Sequence, residues 1–375
     1  MVDIKGVISL PWQQHRHYGP YDRPFPSMSQ PECIGVCSID ASRNFVDDAS
    51  GASYLAARPW PSLPIDLNAG IENVIRKPAD FAAKDLEFDL LYIRQHKDEL
   101  LRPKKSDPGS LELAADFVTL RGILRKIMCL QYEWNGDFLI KATLLNGTVY
   151  MAKEDTPEQR LINENATTAQ LDMCSWGFKF EQYLTSVQPQ GKPVTNVPVN
   201  EAEEFMGMFR TNLEGLRLLY GAEMDCVDSQ EPVDFKDPKV LRSLKFVELK
   251  TSSNTKNPKQ MRNFDRYKSA NWWSQSFLVN IKTIFAGLRD AKGQVTEIKE
   301  FDVRLLARNK PWNPSAITWF LEQFLRNLRA LLIAINDPFA VVQVTFREKR
   351  AYYEILRGSE HQILPDWYRN IFKTK

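Results

Sequence analysis

The chain has 375 residues, of which 43% are hydrophobic, so it can bury a large core. Its 49 basic and 47 acidic residues nearly cancel, which excludes a general basic field as the basis of nucleic-acid binding. Five scattered cysteines do not form the pattern of a secreted disulfide framework, and this predicts an intracellular protein. Because no run of about 18 apolar residues occurs, we expect no membrane span.

The first half of the chain predicts an irregular arm followed by two helices and a hairpin. Residues 1–65 are rich in proline, arginine and aromatic residues with only short apolar runs, so we expect an irregular N-terminal arm packed on the core. Apolar residues at helical spacing predict helices over residues 79–101 and 168–186. Between them, Asn146-Gly147 is flanked by alternating apolar residues and predicts a β-hairpin.

The second half of the chain predicts further strands and two more helices. Strands and hairpins are expected over residues 218–228, 245–254, 280–303 and 340–356, and helices over residues 260–277 and from Asn313-Pro314 onward. Hairpins mixed with separated helices favour an α+β fold over a doubly wound one. Because the candidate functional residues run from the first third of the chain to past its middle, we predict a single domain spanning residues 1–375.

Two predicted strands carry paired charged side chains. In an extended chain Glu223 and Asp225 share one face, and so do Glu248 and Lys250, because side chains alternate. If these strands are neighbours about 4.8 Å apart, three carboxylates converge. Such a cluster is costly unless cations neutralise it, and carboxylate oxygens suit hard divalent ions such as Mg²⁺ or Mn²⁺. The pattern therefore predicts a metal site.

An acidic pair followed by Glu-x-Lys is the arrangement of the D-(D/E)xK nucleases, in which two metal ions and a lysine act on a phosphate. Glu-x-Lys alone is usually a solvated ion pair on a strand, so the interpretation depends on both pairs together. Gln275 adds to it, because a neutral amide within the aromatic run 272–278 needs a polar partner, and a phosphate oxygen would serve.

Four motifs resemble, in order and spacing, those of the DXO family of decapping and 5′-end-processing RNA hydrolases: "GFKFEQY" at 177–183, "GAEMDC" at 221–226, "VELKTS" at 247–252 and "WWSQSFL" at 272–278. The similarity extends from "CSIDASR" at 37–43 to "PDWY" at 365–368. It implies two packed mixed β-sheets with surrounding helices and a deep pocket for the 5′ end of RNA. It also implies removal of unmethylated guanosine caps, NAD caps and 5′ triphosphates, with 5′-to-3′ exoribonuclease activity in some members.

The resemblance also implies roles for particular residues. Two divalent ions, Mg²⁺ or Mn²⁺, are expected to be held by four side chains and one backbone carbonyl: Glu181, Glu223, Asp225, Glu248 and Leu249. The expected catalytic residues are Glu181, Asp225, Glu248, Lys250 and Gln275. The expected substrate contacts are Arg43, Arg121, Gly122, Glu181, Lys250 and Gln275. Before Arg121 the family usually has an aromatic residue, where this chain has Leu120. Because all the acidic residues are kept, we predict an active enzyme.

Three functions stay open from the sequence. The first is a metal-dependent hydrolase that removes incomplete or non-standard caps in RNA 5′-end quality control. The second is a non-catalytic RNA-end-binding partner that stabilises a separate 5′-to-3′ exoribonuclease, a role that needs no carboxylate cluster. The third is a DNA endonuclease with the same metal chemistry. The resemblance further suggests a nuclear protein, with the cytoplasm as a second compartment, although no clear import signal is present.

Overall fold

The computed structural model describes residues 5–12, 23–78, 85–105, 107–133, 137–254 and 257–373. Within these ranges the strands form a ten-stranded mixed sheet, a seven-stranded mixed sheet and a two-stranded hairpin sheet. Helices surround the two large sheets, so the predicted α+β architecture of two mixed sheets is confirmed. In the same ranges, no helix combines the length and hydropathy needed to cross a lipid bilayer.

The elements are numbered in chain order. The strands are β1 (Lys5–Ile8), β2 (Glu32–Ile39), β3 (Phe45–Val46), β4 (Tyr54–Leu55), β5 (Ile65–Asp66), β6 (Leu101–Lys104), β7 (Asp107–Leu113), β8 (Phe117–Leu120), β9 (Phe138–Leu145), β10 (Thr148–Glu154), β11 (Thr185–Ser186), β12 (Glu204–Leu213), β13 (Leu216–Glu223), β14 (Cys226–Val227), β15 (Phe246–Ser253), β16 (Thr283–Arg289), β17 (Gln294–Asp302), β18 (Val341–Arg347) and β19 (Arg350–Leu356). The helices are α1 (Asp85–Gln95), α2 (Lys97–Leu100), α3 (Arg121–Cys129), α4 (Pro157–Glu164), α5 (Thr168–Leu184), α6 (Pro238–Ser243), α7 (Pro258–Asn263), α8 (Ser269–Phe277), α9 (Val303–Leu306), α10 (Pro314–Ile335) and α11 (Asp366–Asn370).

The ten-stranded sheet has the order β1-β19-β18-β9-β10-β8-β13-β12-β2-β3. Its β9–β10 hairpin turns at the predicted Asn146-Gly147, where both residues have positive φ, 50° and 87°. A two-residue turn of this kind matches the twist of the strands that it joins. The parallel pairs β8–β10 and β8–β13 make the sheet mixed.

The seven-stranded sheet has the order β11-β4-β14-β15-β16-β17-β5 and places β15 near its centre. β15 pairs antiparallel with β14 and parallel with β16. Parallel neighbours need a crossover connection, and α7, a π-helical turn at Phe264–Lys268 and α8 supply it. The helix predicted over residues 260–277 is therefore confirmed with a π-helical turn inside it.

The two large sheets share one apolar core. Phe209 of β12 and Phe246 of β15 meet with ring centroids 6.1 Å apart, and residues of α3, α8 and α10 fill the same cluster. On the other side of the seven-stranded sheet, α5 packs through Trp176, Phe180 and Leu184. α1 and α11 cover the second side of the ten-stranded sheet. Both faces of β15 are thus in contact with other elements, and its side chains are held in fixed positions.

Two expectations about local structure need correction. Residues 32–39 are not part of an irregular arm, because β2 pairs with β12 inside the ten-stranded sheet and is largely buried. The apolar positions of β2 include two cysteines, and prolines precede the strand, so the sequence carries little local indication of a strand there. For α5 the apolar spacing of the sequence predicts a buried stripe of Leu171, Cys174, Phe178 and Leu184. The buried apolar face is instead Trp176, Phe180 and Leu184, and Leu171 and Cys174 are exposed.

Other predicted elements are found where the sequence places them. α10 begins after Asn313, whose side chain accepts hydrogen bonds from the amides of Ser315 and Ala316. β16–β17 forms the hairpin predicted over residues 280–303, and β18 and β19 are the strands predicted over residues 340–356, which pair antiparallel with each other. The helix predicted over residues 79–101 is present as α1 and α2, and residues 79–84 of that prediction lie outside the described ranges.

Candidate active site

The chain passes from one large sheet to the other between Glu223 and Cys226. β13 ends at Glu223 in the ten-stranded sheet, and β14 begins at Cys226 in the seven-stranded sheet. The backbone amide of buried Met224 donates to Phe205 at 2.8 Å and fixes the crossing. The prediction that Glu223 and Asp225 share the face of one strand is therefore wrong, since a break in the strand separates them.

The predicted pairing of the two acidic segments is nevertheless present. β14 lies antiparallel to β15, with Cys226 opposite Val247, so Asp225 comes beside the start of the Glu-x-Lys segment. The Leu249 amide donates to Asp225 Oδ2 at 2.6 Å. Leu249 itself is buried in the core beneath α5, because alternation turns its side chain away from Glu248 and Lys250.

Glu248 is the centre of the polar network, and only 1% of its surface is exposed. Its Oε1 accepts hydrogen bonds from Lys250 Nζ and from Gln275 Nε2, the latter at 2.6 Å. Its Oε2 lies 3.2 Å from Arg121 Nη1. Four elements therefore meet at this carboxylate: β15 carries Glu248 and Lys250, β14 begins just beside it, α8 carries Gln275, and α3 carries Arg121.

Burial and charge act in opposite directions on Glu248 and Lys250. Burial alone would raise the pKa of Glu248, but the charges of Lys250 and Arg121 outweigh it and hold that pKa below its usual value. Burial would likewise lower the pKa of Lys250, but Glu248 and Asp225 outweigh it and raise that pKa. The pair is therefore fully ionised near neutral pH.

The other carboxylates of the cluster repel one another. Glu181 projects from α5 toward the site, and burial, followed by Asp225 and Glu223, raises its pKa well above the usual value. Burial and then Glu248 raise the pKa of Asp225 to about 7. Burial and the nearby Glu204 raise the pKa of Glu223. The predicted residues Glu181, Glu223, Asp225 and Glu248 thus form one electrostatically coupled group.

Arg43 lies at the edge of this group rather than at its centre. It adopts a positive φ of 62° in the turn after β2, and its Nη1 donates to the Ala202 carbonyl at 2.7 Å. The same nitrogen lies 3.0 Å from Glu204, which also pairs with Lys77 at 2.5 Å. Arg43 is thus separated from Glu223 by Glu204, so its position supports a role at the rim of the site.

A cavity of about 350 Å³ opens beside Glu223. The predicted residues Arg121, Gly122 and Gln275 line it. Sequence reasoning missed the other charged and aromatic residues of its wall, which are Lys77, Phe88, Arg125 and Glu204. Arg125 lies four residues after Arg121 on α3, so helical spacing could have identified it. Phe88 supplies an aromatic ring to a cavity in which Leu120 occupies the position that is usually aromatic.

The donor set suits hard divalent cations. Burial and then repulsion from neighbouring carboxylates raise the pKa values of Glu181, Glu223 and Asp225, and a bound cation relieves that repulsion. The placement of these side chains does not yet match a metal site. Across the described ranges, no three His, Cys, Asp or Glu side chains are already placed as a metal site. Both oxygens of Glu248 are instead engaged by Arg121, Lys250 and Gln275. The residues fit divalent metal ions in their chemistry, and ligation by Glu248 requires it to exchange some of these partners.

Two curated relatives cover nearly the whole chain. The protein is 68% identical over all 375 residues to the Decapping and exoribonuclease protein Rai1 of Drosophila melanogaster, covering 100% of both chains. It is 29% identical to the Decapping and exoribonuclease protein of Homo sapiens, over 93% of this chain and 87% of that relative.

Solved structures share the fold. Rai1 of Candida albicans, in complex with pU5-Mn²⁺, aligns with a TM-score of 0.77 at 19% identity, covering 92% of this chain and 95% of that one. Rai1 of Scheffersomyces stipitis, in complex with (3′-NADP)⁺ and calcium ion, aligns with a TM-score of 0.76 at 19% identity, covering 95% and 94%. A family model described as RAI1 like PD-(D/E)XK nuclease matches residues 29–369. The chain therefore belongs to the RAI1-like PD-(D/E)XK nuclease family, in agreement with the motifs in its sequence.

Proposed function

We propose that this protein is a divalent-metal-dependent hydrolase of RNA 5′ ends. It removes incomplete or non-standard caps, namely unmethylated guanosine caps and NAD caps, releases pyrophosphate from 5′ triphosphates, and degrades the exposed RNA from its 5′ end. The observation that carries the proposal is the convergence of Lys250, Gln275 and Arg121 on Glu248 within a cluster of carboxylates. A relative 68% identical named for decapping and exoribonuclease activity supports the choice of substrate.

The side chains around Glu248 divide into two groups by their chemistry. The metal-holding group comprises four carboxylates and one backbone carbonyl: Glu181, Glu223, Asp225, Glu248 and Leu249. Two divalent ions held there would activate a water for attack on phosphorus and stabilise the developing charge. Mn²⁺ and calcium in the related Rai1 complexes support divalent ions in general, and we propose Mg²⁺ or Mn²⁺ for this chain.

The second group holds the phosphate. Burial would lower the pKa of Lys250, but the charges of Glu248 and Asp225 raise it. Lys250 therefore stays protonated in a site that is largely shielded from solvent, and its charge can stabilise the phosphate. Gln275 can turn its amide from Glu248 to a phosphate oxygen without any change of charge. Arg121 can offer its remaining N–H groups to the substrate while Nη1 stays on Glu248.

The cavity beside Glu223 is the proposed place of the 5′-terminal group. Arg121, Arg125 and Lys77 give its wall three cations, which suits the negative charge of a cap or a triphosphate. Phe88 offers an aromatic surface for a base or a nicotinamide. The (3′-NADP)⁺ bound to the Rai1 of S. stipitis supports a dinucleotide as an occupant.

The decisive experiment uses RNAs of one sequence with four 5′ ends: a triphosphate, an unmethylated guanosine cap, an NAD cap and a complete methylated cap. Products are resolved by mass with Mg²⁺, with Mn²⁺ and with a chelator. We expect the first three end groups to be released only when metal is present, and Glu248→Ala to abolish release. Glu322→Ala is the matched control, because Glu322 is a buried carboxylate paired with Arg326 on α10, outside the site.

Three outcomes would contradict the proposal. Release that persists in Glu248→Ala would remove the carboxylate cluster from the mechanism. Equal action on matched DNA ends would make the protein a general nuclease. Absence of turnover with both metals, together with co-purification of a 5′-to-3′ exoribonuclease, would favour the role of a binding partner. We also propose a nuclear location, which imaging of the tagged full chain tests.

A further inference from the structure

The charged face of β15 continues beyond Lys250 to the end of the strand. Glu248, Lys250 and Ser252 alternate onto the same side, and Ser252 is buried. Lys268, in the π-helical turn before α8, donates from Nζ to Ser252 Oγ at 3.3 Å. Gln275 and Lys268 therefore reach the same strand face from one helical segment, Gln275 at Glu248 and Lys268 two positions beyond Lys250.

A second cation lies at this end of the strand. Arg289 closes β16, opposite Ser253 in the parallel pairing of β15 and β16. Its guanidinium lies 4.3 Å from the ring centroid of Trp176, and its Nη1 donates to the backbone carbonyl of Asp290 at 3.1 Å. Because Trp176 belongs to α5, this guanidinium lies on the α5 side of the sheet, whereas Lys250 and Ser252 face the other side.

Lys268 has no carboxylate partner within the part of the chain that the structure describes. The surrounding protein and then the charge of Arg289 lower the pKa of Lys268. Among the residues that the structure describes, neither side chain is in an ion pair with an Asp or Glu, whereas Lys250 and Arg121 both are. Lys268 is also exposed to solvent. An exposed cation without a carboxylate partner is stabilised by an anion.

We propose that Lys268 binds the backbone phosphate that follows the scissile phosphate on the RNA chain. The inference rests on the proposed function, because Lys250 must hold the scissile phosphate. Two residues of strand rise, about 6.6 Å, separate Lys250 from Ser252. This is close to the distance between successive phosphates of an extended strand. A groove of cations that follows the backbone is sequence-independent, as an end-processing enzyme requires.

The proposed subsite has a consequence for substrate length. A free nucleoside triphosphate has no phosphodiester downstream of its α-phosphate, so it cannot reach Lys268. An RNA has one at every nucleotide and does reach it. The subsite therefore makes the enzyme favour the end of a chain over a free nucleotide that carries the same 5′ group.

The test compares the wild type with Lys268→Gln on a ten-nucleotide 5′-triphosphate RNA and on GTP, used as a competitive inhibitor. We expect kcat/KM for the RNA to fall about tenfold, mainly through KM, while the inhibition constant of GTP stays within about twofold. The slope of log(kcat/KM) against log salt concentration should fall by about 0.7, the value for one lost phosphate contact on a single strand. Lys268→Arg should restore most of the loss.

Lys259→Gln is the matched control, because Lys259 is an exposed lysine on α7, in the same connection. Equal weakening of GTP and RNA, or no change in either, would overturn the subsite, and so would an equal effect of Lys259→Gln. If the wild type releases no pyrophosphate at all, the proposed hydrolase function fails separately. Equilibrium binding of the ten-mer and of GTP then decides the subsite, because Lys268→Gln must weaken only the ten-mer.

Discussion

Gln275 Nε2 donates a hydrogen bond to Glu248 Oε1 at 2.6 Å, and the same oxygen accepts a hydrogen bond from Lys250 Nζ. The Gln275 contact links α8 to β15 at the centre of the site. We expect Gln275→Ala to lower kcat/KM for 5′-end release by about 10- to 100-fold, equivalent to about 1.4 to 2.7 kcal/mol. The amide is proposed to move to a phosphate oxygen, and Ala cannot replace it. Steady-state kinetics on 5′-triphosphate RNA measures the effect.

Gln131→Ala is the control for this prediction. Gln131 is also a buried glutamine, and its amide donates to the Ala316 carbonyl at 3.2 Å, outside the site. Loss of that hydrogen bond should lower the free energy of unfolding by about 1 kcal/mol and leave kcat/KM nearly unchanged. If both variants lose activity in proportion to their loss of stability, Gln275 has only a structural role.

Asp225 is expected to lower the stability of the metal-free protein. Burial and the charges of Glu248 and Glu223 disfavour its carboxylate, and the charge of Lys250 and the hydrogen bond from the Leu249 amide only partly offset them, so its pKa is raised. Asp225→Asn keeps an oxygen acceptor for that amide and removes the charge. With a chelator present, we expect its free energy of unfolding to rise by about 1 kcal/mol, while activity falls by about 10³-fold.

Metal titration gives the second half of this prediction. Mn²⁺ at about 100 times its dissociation constant should stabilise the wild type by about 2.7 kcal/mol, whereas Asp225→Asn should gain much less at the same concentration. Thermal and urea unfolding measure both effects. Asp228→Asn is the control, because Asp228 is an exposed acid on the same segment and should change neither quantity. Equal stabilisation of both variants by Mn²⁺ would remove Asp225 from the metal-binding group.

The sequence predicted well those parts of the site that depend on a single strand or helix. β15 was predictable because buried Val247 and Leu249 alternate with Glu248 and Lys250, and alternation is a local property. The break after Glu223 was not predictable in this way. Apolar residues continue at Met224 and Cys226, and no proline or glycine occurs from Ala222 to Asp228, so nothing at the break itself marks the change of sheet.

Residues that meet through long-range pairing were also missed. Lys77 and Arg43 reach Glu204 from segments that are more than 120 residues away in the chain. The pairing of β2 with β12 brings Arg43 there, and that register is a property of the whole sheet. Charge in the sequence could mark these residues as polar, but it could not identify their partner.

Asp116 predicts how stability depends on pH outside the site. Its carboxylate accepts hydrogen bonds from the Arg217 amide and guanidinium, and it also lies 3.4 Å from Arg329. Burial opposes ionisation, but the two arginines outweigh it and lower the pKa of Asp116. A lowered folded-state pKa gives stability that is present above the unfolded value of about 3.9 and is lost as the pH falls below it.

Asp116→Asn should therefore lower the free energy of unfolding by about 1 to 2 kcal/mol between pH 5 and 8. The difference from the wild type should shrink as the pH falls below about 4, because protonation then removes the same charge from the wild type. Urea unfolding at a series of pH values measures it. A difference that stays constant down to pH 3 would show that the ionised carboxylate is not the source of the stability.

Gly287 determines how closely α5 approaches the seven-stranded sheet. A Cβ at this position would lie 2.6 Å from Cε2 of Phe180, a fully buried ring next to Glu181. We expect Gly287→Ala to lower the free energy of unfolding by about 2 kcal/mol and to reduce activity, because α5 must shift and move Glu181 with it. Gly177→Ala is the matched control for stability, since no atom outside the neighbouring residues of its own helix lies within 4 Å of its added Cβ, and it should stabilise α5 by about 0.5 to 1 kcal/mol.

Combining Gly287→Ala with Phe180→Leu tests whether the contact with the Phe180 ring causes the loss of stability. If the clash with the ring is responsible, the double variant is less destabilised than the sum of the two single changes by at least about 1 kcal/mol, and strictly additive effects would exclude that contact.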